Sequence, residues 1–237
     1  MVVLLAAWAC VSPGDAGVAR GAGPVTVAIG PAGGVVATEE GVQLTIPPGA
    51  LQDEVAITVW PFDGQYAIEP ADLDLARPAT VCLPGLPSDV VGWPSVLDGW
   101  LPRRTAPGWG DTRCAEVGRL GAGVVTRPEE TVGRPVIRAA VGWLEPTVGG
   151  AWFGAEIAVY HPFGSGRLTQ VKAVFPDGAQ HGALDPVWST LDSCTLATAW
   201  DAACTLDLFV AEPLPPWVEF VVFDEDFDAA DVWTQAL

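Results

Sequence analysis

Lysine and histidine are nearly missing from this chain. Lys172 is its one lysine beside ten arginines, and His161 and His181 are its only histidines, against 29 aspartates and glutamates. We read the arginine preference as a genome bias. The formal charge is -18. No basic stripe exists to neutralise phosphates, which excludes nucleic acid as a partner. An anionic membrane face would repel such a surface. The acidity suits solubility outside the cell. Cys-x-x-Cys pairs are also missing. With Cys10, Cys82, Cys114, Cys194 and Cys204 far apart and two histidines, structural zinc finds no ligand set. No Gly-x-Ser-x-Gly elbow, His-Glu-x-x-His or phosphate loop occurs, so no catalytic residue, metal or cofactor is implied. Strong helical periodicity is missing too. What remains is half apolar and rich in turn formers, with 27 glycines and 22 prolines. That composition predicts an all-β chain of one or two domains with many turns.

The most informative stretch is Gly41-Val42-Gln43-Leu44-Thr45-Ile46-Pro47-Pro48-Gly49-Ala50-Leu51. Val42, Leu44 and Ile46 alternate with Gln43 and Thr45, the period of a half-buried strand. Pro47 and Pro48 remove two backbone donors and end the ladder. Gly49 can take a positive φ and turn the chain, so Ala50 and Leu51 can tuck back over the strand end. A second strand follows, with Val55, Ile57 and Val59 on one face. By local pattern alone this is an ordinary strand, turn and strand.

The wider pattern adds to it. Gly30-Pro31-Ala32-Gly33-Gly34-Val35-Val36 stands upstream. Tyr66-Ala67-Ile68-Glu69-Pro70 and Leu73-Asp74-Leu75-Ala76-Arg77-Pro78-Ala79-Thr80-Val81-Cys82-Leu83-Pro84 stand downstream. Together these resemble the ZU-five domain, a β-sandwich known from tight-junction scaffolds, netrin receptors and ankyrins, with many bacterial envelope versions. Arg77-Pro78 replaces the family's Lys-Pro, and Leu75 stands where an aromatic is frequent. The resemblance covers residues 25 to 85. It implies a sandwich with an interaction role and is nearly silent on ligand.

Val2 to Ala9 is an apolar run ending in Ala7-Trp8-Ala9 before Cys10, without the positive segment of a signal peptide. The run is too short to span a bilayer. Cleavage before Cys10 would free that thiol for lipidation, so the segment resembles a bacterial lipoprotein precursor. Ala7 and Trp8 depart from the usual lipidation pattern, ordinary signal cleavage also fits, and a buried first strand is the alternative. Val11 to Pro24 lacks apolar periodicity and reads as a tether. On this reading residues 1–9 are a signal peptide, 10–24 a tether after lipidated Cys10, 25–127 the ZU-five-like sandwich and 128–237 a second sandwich. Multiple acyl chains would make the anchor stable. The other four cysteines allow three pairings. We expect Cys82 with Cys114 and Cys194 with Cys204, the second closing a hairpin. Buried free thiols are the alternative.

The second half begins after Arg127-Pro128-Glu129-Glu130, which reads as a linker. Pro135 to Trp143, Ala155 to Tyr160, Leu168 to Phe175, Cys204 to Val210 and Trp217 to Phe223 read as short strands. Val171 to Gly178 with Phe220-Val221-Val222-Phe223-Asp224 resembles bacterial immunoglobulin-like modules, without the Cys-Trp-Cys spacing of antibodies.

Three constellations are candidate sites. Trp93, Trp100 and Trp109 lie in a stretch rich in Trp, Pro and Gly. They fit a carbohydrate platform, though packing on the sandwich is the simpler use of a large ring. Asp224, Asp226, Asp228 and Asp231 offer oxygens for calcium, but the glycine and closing glutamate of an EF-hand are missing, so a solvated acidic loop is expected. His161-Pro162-Phe163-Gly164-Ser165 contains the residues of the His-Phe-Ser at which some ZU-five relatives cut themselves. Pro162 and Gly164 interrupt the triplet, and a turn is expected. The expected protein is therefore exported, lipid-anchored and non-catalytic, a binding or scaffolding module of a bacterial envelope at the outer membrane or periplasm. Its partner would be an envelope protein or polysaccharide. Self-processing and a passive structural role are the alternatives.

Overall fold

The computed structural model describes residues 23–62, 65–86, 89–94, 100–103, 105–108, 110–126, 133–176, 194–224 and 231–237. The signal segment, Cys10, all but the end of the tether, Trp109, the linker after 127, the turn after Pro176, Asp226 and Asp228 lie outside them. Eighteen strands form among the described residues. They are Val25–Ile29 (β1), Gly34–Ala37 (β2), Gln43–Ile46 (β3), Val55–Phe62 (β4), Gln65–Glu69 (β5), Asp74–Pro84 (β6), Val90–Pro94 (β7), Trp100–Arg103 (β8) and Ala106–Pro107 (β9). Then come Thr112–Arg119 (β10), Ala122–Thr126 (β11), Val136–Thr147 (β12), Gly150–Tyr160 (β13), Leu168–Val174 (β14), Cys194–Leu196 (β15), Asp201–Ala211 (β16), Trp217–Asp224 (β17) and Asp231–Ala236 (β18). The fold is all-β and built as stacked sheets, as the composition predicts.

The Pro-Pro-Gly corner behaves as its chemistry requires. Val42, Leu44 and Ile46 are buried and Gln43 is exposed. Gly49 has φ 78° and its N–H donates to Pro31 O at 2.8 Å. Ala50 and Leu51 fold back into the core. Gly33 has φ 75°, and a β-carbon there would collide with Ile46 O, so the approach of β2 to the corner requires glycine.

Strands β2-β3-β6-β10-β9 form one sheet and β12-β13-β16-β15 another. The third sheet has nine strands, in the order β1-β4-β5-β11-β7-β8-β18-β17-β14. Its first six strands cover the five-stranded sheet, enclosing a core that runs from Val25 to Leu120. Its last three cover the four-stranded sheet, enclosing a second core built on Phe153, Ile157, Val171, Leu206 and Phe220. The two cores thus lie on either side of residue 127, while one sheet runs through both. The join is the parallel contact of β8 with β18 at Arg103 and Val232.

The seam between the halves explains why β17 is buried almost throughout. Val218, Phe220 and Val222 face the second core. The alternate residues Trp217 and Glu219 meet the first half. The Trp217 indole N–H donates to Leu75 O at 2.8 Å. Its ring lies where a β-carbon on Gly118 would be, so only glycine fits there. Glu219 pairs with Arg103, and both side chains are almost completely shielded from solvent. Arg103 also donates to Pro94 O at 2.6 Å. At the rim, Arg119 holds Asp74 through two contacts, 2.7 and 3.1 Å, and reaches across to Pro176 O at 3.2 Å. The two disulfides, Cys82–Cys114 and Cys194–Cys204, each join directly opposed residues of neighbouring strands, β6 with β10 and β15 with β16. This is the expected pairing.

Removing one member of a buried ion pair strands the other charge. Arg103→Met should lower stability by about 3–5 kcal/mol in urea unfolding, and adding Glu219→Leu should recover most of that loss. A single variant as stable as the parent would contradict the seam.

Candidate functional site

The outer face of the five-stranded sheet is polar because its strands alternate in register. Leu44, Val81 and Ala115 point into the core. Between them, Thr45, Thr80 and Glu116 form one row across β3, β6 and β10, and Gln43, Cys82 and Cys114 form the next. The short edge strand β9 pairs with β10 beside Cys114. The C-terminal strand β18, carried across the seam, stands over this face. An open cleft of about 510 Å³ results, lined by Thr80, Thr105, Glu116, Trp233 and Thr234 among others. A smaller recess of about 250 Å³ continues it past Thr45, Arg77 and Ala236, sharing Thr80 and Glu116.

The cleft combines hydroxyls, one indole and one carboxyl. Arg113 donates to Thr105 Oγ1 at 2.6 Å and Arg103 to Thr234 Oγ1 at 3.4 Å, which orients both hydroxyls. Glu116 is exposed as a side chain, yet crowding by the cleft walls desolvates its carboxyl and raises its pKa above the ordinary glutamate value. Cys114 is held in a disulfide. Thr80 stands directly opposite Glu116 across β6 and β10, so a hydroxyl and a carboxyl share the cleft floor. The hydroxyls, the indole and the carboxyl offer hydrogen bonding and ring contact to a bound molecule.

The structure separates the residues singled out in the sequence. Trp93 is fully buried in β7 and donates from its indole to Arg119 O at 2.9 Å. It packs on the sandwich and is not open to a sugar, which corrects its assignment as a binding residue. Its position faces inward in the strand, so burial takes the ring. Trp100 lies on β8, while its side chain and Trp109 lie outside the described residues.

His161, Phe163 and Ser165 form a turn closed by Gly164 N–H to His161 O. His161 Nδ1 accepts from Phe163 N–H at 3.0 Å, which leaves Nε2 as the donor to Asp224 at 3.1 Å. The Ser165 hydroxyl donates to Thr198 O and Ala199 O. The imidazole and the hydroxyl are thus committed to different partners. Asp224 and Asp231 are both buried, the first on His161 and the second accepting Ile137 N–H at 2.8 Å. These two carboxylates tie the ends of β17 and β18 to their neighbours. Among the described residues no group of three or more His, Cys, Asp or Glu is arranged to hold a metal.

The cleft was not visible in the sequence because Thr80, Glu116 and Trp233 meet only through the seam. The one local signal was the run Trp217 to Val222, apolar except for Glu219, which calls for a partner on each face. No protein-family model matches the chain, and no curated protein matches it.

The raised pKa of Glu116 makes its charged form costly in the folded state. For a raised acid the cost is absent below the ordinary glutamate pKa, grows as pH rises from there to the folded value, and is complete above it. Glu116→Gln should therefore be more stable than the parent at neutral pH and no more stable at pH well below the glutamate range. Thermal melts at the two pH values check this, and a gap independent of pH would contradict it.

Proposed function

We infer that this chain is an exported, lipid-anchored binding or scaffolding protein of a bacterial cell envelope that carries out no reaction. The observation that carries the reading is the pair of disulfides, Cys82–Cys114 and Cys194–Cys204. Structural disulfides persist in oxidising compartments and are rare in the cytosol. An acidic surface and the apolar segment before Cys10 point the same way. Lipidation of Cys10, with residues 11–24 as tether, would hold the sheets off the membrane.

The first half, residues 25–127, is read as ZU-five-like. The Pro47-Pro48-Gly49 corner and the β3–β6 pairing that follows from it support that reading. The second half, 128–237, is read as immunoglobulin-like, supported by the antiparallel pairing of β14 with β17, the two segments that carry the resemblance. The partner is an envelope protein or polysaccharide, received by stable sheet faces, with the cleft over Thr80 and Glu116 as one such surface. Fold likeness alone sets no ligand, so the site's chemistry has to.

The test is the intact mass of protein taken from the native membrane fraction. The expected mass begins at Cys10, includes acyl chains, and is lighter before reduction by the four hydrogens of two disulfides. An unlipidated chain would overturn the anchor. Two fragments parted near His161 would overturn the non-catalytic reading.

A further inference from the structure

The four-stranded sheet has one face on the second core and one open to solvent. Along β13 the inward residues are Ala151, Phe153, Ala155, Ile157 and Val159, all buried. The alternate residues Gly150, Trp152, Gly154 and Glu156 point outward. Large rings gather over this outward line. Trp152 is 51 % exposed, Trp143 on β12 41 % and Phe209 on β16 39 %. Exposed aromatic clusters of this kind mark interaction sites.

The two glycines show how the rings are laid. Trp143 is opposite Gly154, and a β-carbon there would stand 2.5 Å from two atoms of the Trp143 indole. A β-carbon at Gly150 would stand 2.8 Å from Phe209 Cζ. Gly154 leaves room for the Trp143 ring, and Gly150 for the Val210 carbonyl oxygen as well as for the edge of the Phe209 ring. Trp152 fills the position between them and meets Phe209 edge to face, with centroids 5.7 Å apart. The result is a row of three rings, over positions 150, 152 and 154 of one strand. At the rise of an extended strand the row spans roughly 14 Å.

Carboxylates interleave with the rings. Glu145 is directly opposite Trp152, Asp207 opposite Gly154, and Glu156 is the next outward residue of β13. All three are exposed. The one described cation on this face is Arg138, which pairs with Asp201 at 2.8 Å and lies over the Tyr160 ring. This charge pattern selects the occupant. An anionic polymer would meet only like charge. A protein surface covering the rings would desolvate three carboxylates, which interface cores avoid. A second copy of the chain would bring the same acidic face against itself. A cation would be gripped by rings arranged around it, whereas these lie in a line. An uncharged polyhydroxylated chain meets every feature, because its C–H faces rest on rings while its hydroxyls donate to the flanking carboxylates.

We propose that the outer face of β12-β13-β16-β15 binds a linear neutral glycan along the row Trp143, Trp152 and Phe209, with Glu145, Glu156 and Asp207 accepting its hydroxyls. This rests on the reading of the chain as a binding protein and names the ligand class. It moves the glycan platform from the Trp93 to Trp109 stretch to the second half of the chain.

The test uses the full folded chain with hexasaccharides of glucose and of N-acetylglucosamine, followed by calorimetry and tryptophan fluorescence. A lysine-rich hexapeptide and a sulfated glucan serve as charged counterparts. The expected result is saturable binding of a neutral hexasaccharide with a change in tryptophan emission. That binding should weaken at least tenfold in Trp143→Ala and in Trp152→Ala and persist in Trp152→Phe, all with parental melting curves. Absence of neutral glycan binding by the parent would overturn the proposal, as would tighter binding of the peptide or an affinity unchanged by Trp152→Ala. The mass of the membrane-bound protein does not depend on any of these outcomes, so the glycan proposal can fail while the anchored reading stands.

Discussion

The structure depends on one buried ion pair and the tryptophan beside it. Arg103 from the first half and Glu219 from the second are both withdrawn from water, where an unmatched charge is costly. They hold each other, while the Pro94 carbonyl and the Thr234 hydroxyl take further donors of Arg103. Trp217 lies in the space left by Gly118 and hydrogen-bonds Leu75 O. A pair of this kind adds little net stability compared with apolar residues of the same shape. Its charges and directed hydrogen bonds match only when Glu219 of β17 stands against Arg103, the same placement that seats Trp217 on Gly118.

That placement determines the surfaces. Because β17 is fixed, β18 lies over Thr80 and Glu116 and forms the cleft. Because β17 also covers the second core, the four-stranded sheet packs the face carrying Phe153 and Ile157 inward and turns the row of Trp143, Trp152 and Phe209 to solvent. The disulfides reinforce neighbouring strands within each half: Cys82–Cys114 on the cleft side, and Cys194–Cys204 at the edge of the aromatic sheet. Cleft and aromatic row thus stand on separate faces of one framework.

Much of this was legible because strand alternation is a local property. Val42, Leu44, Ile46, Ile57 and Val59 announced their faces through period two, and the Pro47-Pro48-Gly49 corner announced its turn. The disulfide pairing was one of three open to the four cysteines, favoured because Cys194 and Cys204 enclose a segment of hairpin length and Cys82 ends a strand. The seam was not legible, since Arg103 and Glu219 are 116 residues apart and meet only through the fold. The tryptophans show the limit most clearly. A local abundance of Trp drew attention to Trp93, yet phase decides use: Trp93 occupies an inward position of β7, and Trp152 an outward position of β13. The signal for Trp152 was in the chain, as an aromatic in the polar phase between Gly150 and Gly154, but its partners Trp143 and Phe209 lie on other strands.

If the seam makes the halves one framework, they must unfold together. Scanning calorimetry of the oxidised protein tests this most directly. The account predicts a single transition whose calorimetric and van't Hoff enthalpies agree, the mark of one cooperative unit. Two resolved transitions, one for each core, would show that the halves are joined only by the chain and would contradict it.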